Sequence, residues 1–142
     1  MLRRTCAAGS WWTILVASGT SIPVRPSRLH PTDTMGIFAI NEGDLPWSSY
    51  VDPGGARTTI RYKRLTSDAP DVPAVQYIEY GPGQTDPMHS HPAGEFFIVT
   101  DGELWLDDAP TRPGGILYIP AHTEYAVQAG PEGARYFRVV IP

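Results

Sequence analysis

The sequence predicts an all-β protein in which short strands are separated by frequent turns. Fifteen prolines and fourteen glycines punctuate the 142-residue chain, and these residue types mark turns and loops. The segments between them are rich in β-branched and aromatic residues, with charges interspersed at strand-like spacing. No stretch beyond the N-terminal region sustains a helical apolar period. Many short strands with Gly and Pro turns are expected to form a sandwich or a barrel.

Seven segments are predicted as strands. They are residues 57–65, 74–80, 95–100, 103–106, 116–119, 124–128 and 134–141. Asp101-Gly102 predicts a two-residue hairpin between the third and fourth segments. Residues 113–115 and 130–133 are rich in glycine and proline and predict two further turns. One domain of about a hundred residues is expected for a chain of this length.

Three strong metal-ligand side chains, His89, His91 and Glu95, lie within seven residues of the chain. Histidines two apart in an extended strand face the same side, and Glu95 can join them if residues 92–94 turn the chain. Two imidazoles and one carboxylate form the facial triad of non-haem Fe(II) sites and also suit other divalent metals. Because the chain has only four histidines, this spacing favours a metal site over an exposed polar hairpin.

The stretch from Gly83 to Gly102 resembles the first motif of the cupin superfamily, Gly-x5-His-x-His-x3-Glu-x6-Gly, at every defined position. The resemblance covers about residues 57–141. It implies a cupin-type double-stranded β-helix, a jelly-roll barrel with its site inside. It also implies a divalent metal ion (Fe, Mn, Ni or Zn) held by the two histidines and the glutamate.

The second cupin motif, Gly-x5-Pro-x-Gly-x2-His-x3-Asn, is only partly kept. Gly114 and Pro120 match it. His122 stands in place of the family's turn glycine, and Tyr125 in place of its metal-binding histidine. The resemblance therefore leaves the fourth protein ligand open. His122 is expected to be a surface histidine, with metal ligation as the alternative.

Tyr125 is predicted to point into the barrel, because the resemblance places a metal ligand at this position and Val127 continues the same face of the strand. A phenol has an unperturbed pKa of about 10 and ligates a metal only when it is deprotonated, as in some iron sites. We expect Tyr125 to donate a hydrogen bond to a substrate or a metal-bound water. Tyr125 and Glu95 are thus the candidate catalytic residues. A tyrosine that only fills the barrel is the alternative.

The wall around the site is predicted to be apolar and aromatic. Its predicted members beside Tyr125 are Phe97, Val99, Val127, Trp105 and Tyr118. Such a wall suits a small, partly hydrophobic substrate with an enol, keto or carboxylate group. A metal with open coordination positions predicts an enzyme, and a dioxygenase-type oxidation is favoured among cupins of this kind. The alternatives are an isomerase or lyase that uses the metal as a Lewis acid, and a non-catalytic metal- or ligand-binding module.

The net charge of −4 is unevenly distributed along the chain. Residues 1–32 carry four arginines and no acid, whereas residues 35–142 carry seven basic and fourteen acidic residues. An acidic domain predicts no nucleic-acid partner, and no segment reaches the roughly twenty apolar residues of a membrane span. The expected partners are a small-molecule ligand or substrate and, through exposed strand edges, a second copy of the chain in a homodimer. The single Cys6 excludes an intrachain disulfide, and a cytoplasmic location is favoured.

Residues 1–34 are expected to lie outside the domain, which comprises residues 35–142. Arginines followed by a weak apolar run and small residues are typical of a targeting segment, which would make the protein secreted or organellar. The apolar run is short and is interrupted by Gly9 and Ser10. A disordered tail, or a translation start at Met35, is therefore the other interpretation.

Overall fold

The computed structural model describes residues 39–52, 54–55, 57–66 and 72–141, which form strands joined by short connections. A 3-10 helix, Glu42–Asp44, precedes the first strand. The strands are β1 (Ser48–Val51), β2 (Arg57–Arg64), β3 (Ala74–Tyr80), β4 (Thr85–His89), β5 (Glu95–Leu106), β6 (Ala109–Thr111), β7 (Ile116–Ile119) and β8 (Tyr125–Val140). No helix within these ranges is long and apolar enough to cross a membrane. The N-terminal segment predicted to lie outside the domain, residues 1–34, is also outside the described residues.

The strands form one antiparallel sheet that closes over a shared core. Its hydrogen-bonded order is β1-β2-β3-β8-β5-β6, with β4 also paired to β8 and β7 also paired to β5. β8 pairs with β4 through its first half and with β3 through its second half, while β5 runs beside both halves. Two long strands thus belong to both halves of the sheet. This arrangement confirms the predicted all-β jelly-roll barrel.

β5 and β8 each bend at a glycine instead of ending there. The hairpin predicted at Asp101-Gly102 is wrong, because β5 continues through it, and the turn predicted at residues 130–133 lies within β8. Gly102 and Gly133 have φ angles of 67° and 84°, and a Cβ on Gly102 would collide with the carbonyl group of Gly133. The pairing register shifts on either side of Gly102. The two glycines therefore form a bulged corner of the barrel, where one backbone approaches the other closely.

This bulge also changes which side chains of β5 face the core. Phe97 and Val99 are 2% and 1% exposed, as alternation predicts, but the next buried residue is Leu104 at 0% rather than Trp105. An extra residue in a strand moves every later side chain to the opposite face. The prediction that Trp105 lines the interior is wrong for this reason. The same prediction for Tyr118 is also wrong, because this residue is 57% exposed on the outer face of β7.

The barrel interior is filled mostly by aromatic and β-branched side chains. Its buried cluster is Ile60, Ile78, Tyr80, Phe97, Val99, Leu104, Ile119, Tyr125, Val127, Ala129, Ala134 and Tyr136. Outside this cluster, Trp47 packs against Tyr77 with ring centroids 5.7 Å apart. The ammonium group of Lys63 lies 4.6 Å from the Trp47 ring centroid and 2.5 Å from a carboxylate oxygen of Glu42. These contacts hold the segment before β1 on the sheet.

Candidate functional site

The centre of the candidate site is the carboxylate of Glu95, the first residue of β5. Its side chain is fully buried, with 0% exposure. The hydroxyl of Tyr125 donates a 2.8 Å hydrogen bond to Oε2 of Glu95, and the guanidinium of Arg138 forms an ion pair with Oε1. A buried carboxylate needs such partners, since an unpaired charge inside a protein is strongly destabilising.

Tyr125 begins β8 and stands opposite His89 of β4 in the strand register. Its ring is 4.5 Å from the ring of His89 and 6.0 Å from that of Phe97, between centroids. Burial raises the pKa of Tyr125 above its usual value, and the adjacent negative charge of Glu95 and the hydrogen bond donated to it raise that pKa further. The phenol is therefore protonated at neutral pH and acts as a hydrogen-bond donor.

The two histidines reach the site from different backbone elements. His89 ends β4, whereas His91 lies in the connection that follows, so strand alternation does not explain their common orientation. Their ring centroids are 5.0 Å apart. The carbonyl oxygen of His91 accepts a 2.7 Å hydrogen bond from the backbone N–H of His122, which fixes this connection.

The ring nitrogens of both histidines are in defined surroundings. Nδ1 of His89 is 2.7 Å from the carbonyl oxygen of Pro87, which only accepts, so Nδ1 carries a proton and the neutral ring has its lone pair on Nε2. Nε2 of His91 is 3.9 Å from Oε1 of Glu95. The pKa of His91 is lowered, chiefly by burial, although the charge of Glu95 partly opposes this. In its neutral form, each imidazole therefore has a nitrogen that can bind a cation.

These donors suit a divalent metal ion in type, but their positions do not converge on one point. Within the described ranges, no three His, Cys, Asp or Glu side chains are arranged to hold an ion. Ligands about 2.1 Å from an octahedral ion are roughly 3 Å apart, so the 3.9 Å between His91 and Glu95 has to shorten. The bond from Nδ1 of His89 to Pro87 is the kind that orients a metal-binding imidazole. The chemistry of the set fits a metal, although Glu95 would have to turn away from Arg138 to bind it.

His122 is not brought to this cluster. Its side chain is exposed, and its backbone has a left-handed φ of 61° in the turn between β7 and β8. The turn thus keeps the conformation that a glycine adopts easily, with a histidine in its place.

Sequence reasoning missed the pairing of Arg138 with Glu95 and the hydrogen bond between Tyr80 and Asp86. Arg138 lies on the inner face of β8, where its Nη1 donates a 3.2 Å hydrogen bond to Oε1 of Gln76. Burial alone lowers the pKa of Arg138, but the charge of Glu95 and the hydrogen bond to it outweigh burial and raise it. Oδ2 of Asp86 accepts a 3.2 Å hydrogen bond from Tyr80 and lies 4.0 Å from Nε2 of His89. An arginine between Tyr136 and Val140 on the inward face of β8 was the signal for the first. No local pattern marks the second.

Residues 76–140 match the family model of the cupin domain. No curated protein matches the chain in sequence. Solved structures with a similar fold include a chain of the Rhodobacter sphaeroides SigE complex with the anti-sigma ChrR, at 16% identity and a TM-score of 0.58. That match covers 71% of this chain and 52% of the other, so this chain spans about half of its length.

Two further structures resemble the domain. The polyketide cyclase RemF of Streptomyces resistomycificus matches at 21% identity and a TM-score of 0.62, over 74% of this chain and 78% of its own. A proposed acetylacetone dioxygenase of Methylibium petroleiphilum matches at 12% identity and a TM-score of 0.63, over 76% and 78%. Identities this low establish the fold but not the activity. The family-model match and the similar structures together identify residues 76–140 as a cupin domain.

Proposed function

We propose that this cupin is a metal-dependent enzyme that oxidises a small molecule bearing an enol, keto or carboxylate group, with a dioxygenase-type reaction. The observation that carries the proposal is the buried Glu95 carboxylate, which holds a hydrogen bond from Tyr125 beside two imidazoles. A fully buried carboxylate next to two imidazoles is suited to binding a cation rather than to packing.

When bound by His89, His91 and Glu95, a divalent ion would supply Lewis-acid or redox chemistry with open coordination positions. The phenol of Tyr125 keeps its proton and donates a hydrogen bond to Oε2 of Glu95. This bond fixes the orientation of the carboxylate. The buried side chains of Phe97 and Val127, each 2% exposed, form apolar walls inside the barrel. These features favour a small substrate whose polar group faces the histidines and whose apolar part faces the walls.

The similarity in fold to two solved structures supports a reaction on a keto compound, but it does not assign that reaction to this chain. One similar structure is a proposed acetylacetone dioxygenase, and another is a polyketide cyclase. Acetylacetone and polyketides both carry keto groups. Because one fold hosts unrelated functions, this support is an analogy.

A non-catalytic ligand-binding module is the second candidate, and one contact favours it. Arg138 already neutralises Glu95, so the carboxylate is satisfied without a metal. In that case Glu95 and Arg138 would act as a buried structural pair, and the barrel would bind a ligand without transforming it.

Metal content and oxygen uptake distinguish the two candidates. The protein would be loaded with Fe(II), Mn(II), Ni(II) or Zn(II), and its metal content measured by mass spectrometry. We expect about one ion per chain, lost in the double variant His89→Ala/His91→Ala and retained in the control His122→Ala, which changes an exposed histidine. Oxygen consumption with acetylacetone as a first enolic probe would then test the reaction. An unloaded wild-type protein would overturn the enzyme proposal, and a loaded protein inert to a panel of enolic probes would favour the binding module.

A further inference from the structure

Arg138 is a cation inside the barrel that the metal-site motif does not require. It lies opposite Phe97 of β5 and Gln76 of β3 in the strand register, in the second half of β8. Its side chain is 17% exposed, so part of it is open to solvent. The two described hydrogen bonds to Glu95 and Gln76 use two of its five N–H groups,.

The charge of the interior depends on this residue. Glu95 and Asp86 each contribute one negative charge and Arg138 contributes one positive charge. With a divalent ion on the two histidines and Glu95, the site has one net positive charge. A neutral residue in place of Arg138 would leave no net charge. Arg138 therefore decides whether the loaded site favours an anion or a neutral molecule.

Metal binding would also weaken the ion pair that holds the guanidinium of Arg138 on Glu95. Glu95 cannot give its full charge to a metal and to Arg138 at once, so the ion pair weakens when the carboxylate turns toward the histidines. The planar fork of an arginine matches a carboxylate in geometry, which the ammonium of a lysine does not. A carboxylate on the ligand would restore the lost pairing.

We infer that Arg138 is the anchor that makes this site selective for organic acids, with the ligand carboxylate paired to the guanidinium and the remainder facing the histidines. The inference rests on the proposed function, because it concerns the metal-loaded site. It restricts the proposed ligands, which could carry an enol, keto or carboxylate group, to those that carry a carboxylate.

The test compares acids with amides of the same shape. Calorimetry on the metal-loaded protein would use three pairs of probes: benzoate and benzamide, pyruvate and pyruvamide, malonate and malonamide. We expect at least one acid to bind at least tenfold more tightly than its amide. Arg138→Gln should abolish that preference by weakening the acid alone, and Arg138→Lys should keep the fold and the charge but recover only part of the preference.

Arg135→Gln is the matched control, since it removes the same charge from the same strand at an exposed position paired with Glu79. It should leave the preference unchanged. The inference would be overturned if the wild type preferred no acid over its amide. It would also be overturned if folded Arg138→Gln kept the preference, or if Arg138→Lys showed the same preference as the wild type. Metal content is measured on each sample, so failure of the metal site itself is seen separately as an unloaded wild-type protein.

Discussion

The hydroxyl of Tyr125 and the carboxylate of Glu95 are joined by a 2.8 Å hydrogen bond inside the barrel. The two residues are 30 positions apart in sequence and come from different strands. Tyr125 stands where the cupin motif has a metal-binding histidine, so the bond links the altered second motif to the intact first one. The tyrosine thus contacts Glu95, which is one of the expected metal ligands.

Replacing Tyr125 with phenylalanine is expected to leave the metal bound and to lower turnover. The change removes only the hydroxyl that orients Glu95, and loss of a positioned hydrogen bond costs on the order of 10² in rate. Metal analysis and steady-state kinetics would measure both effects. Tyr118→Phe removes the same hydroxyl from an exposed ring and serves as the control. Unchanged metal content and unchanged activity in Tyr125→Phe would mean that the residue only packs the core.

The glycine corner is expected to be essential to stability. Gly102→Ala places a Cβ against the backbone of Gly133 at a positive φ and should cost at least about 2 kcal/mol of unfolding free energy. Gly114→Ala also has a positive φ, 87°, but meets nothing within 4 Å, so it measures the backbone cost alone, about 1 kcal/mol. Urea denaturation of both variants gives the comparison. Equal losses would show that the close approach at Gly102 is unimportant.

Local sequence patterns predicted the bounds of β3 and β7. The motif singled out three polar side chains, of which His91 and Glu95 lie 3.9 Å apart and the rings of His89 and His91 lie 5.0 Å apart between centroids. Local patterns could not predict the course of β5 and β8. Asp101-Gly102 has the composition of a hairpin, and only the opposing Gly133 makes it a corner. Arg138 was missed for a related reason. Its partner Glu95 is 43 positions away, and no local pattern reports a pairing across the barrel.

Deletion of residues 1–34 is expected to leave the barrel folded. The paired strands of the described sheet lie between Ser48 and Val140, and the buried cluster begins at Ile60. A chain that begins at Met35 should therefore keep its thermal transition within a few degrees, as measured by calorimetry or circular dichroism. A broad transition, or one shifted far downward, would show that the deleted segment contributes to the packed structure.

Alkaline pH is expected to destabilise the barrel through Tyr80 and Tyr136. Burial raises the pKa of both phenols above the ordinary value, with the charge of Tyr136 and of Asp86 adding to the effect at Tyr80. A raised folded-state pKa gives stability that is fully present below the unfolded value of about 10 and is lost as pH rises toward the folded value. The loss is at most about 1.4 kcal/mol per pH unit for each group. Urea titrations at pH 8 and 11 should show a smaller loss in Tyr80→Phe/Tyr136→Phe, and equal losses in both proteins would contradict the assignment.

The ion pair between Glu95 and Arg138 is expected to matter more for stability than the pairs on the outer face. Glu95→Gln leaves Arg138 without its counter-charge in the interior, and breaking a buried pair costs about 3 kcal/mol or more. Glu79 offers a matched comparison, since it pairs with Arg61 and Arg135, whose side chains are each 46% exposed. Glu79→Gln should cost about 1 kcal/mol or less, because exposed pairs are screened by water and salt. Denaturation of the metal-free proteins at low and high salt measures both. If Glu95→Gln were as mild as Glu79→Gln, the buried pair would not stabilise the barrel, and Arg138 would be held there for its ligand alone.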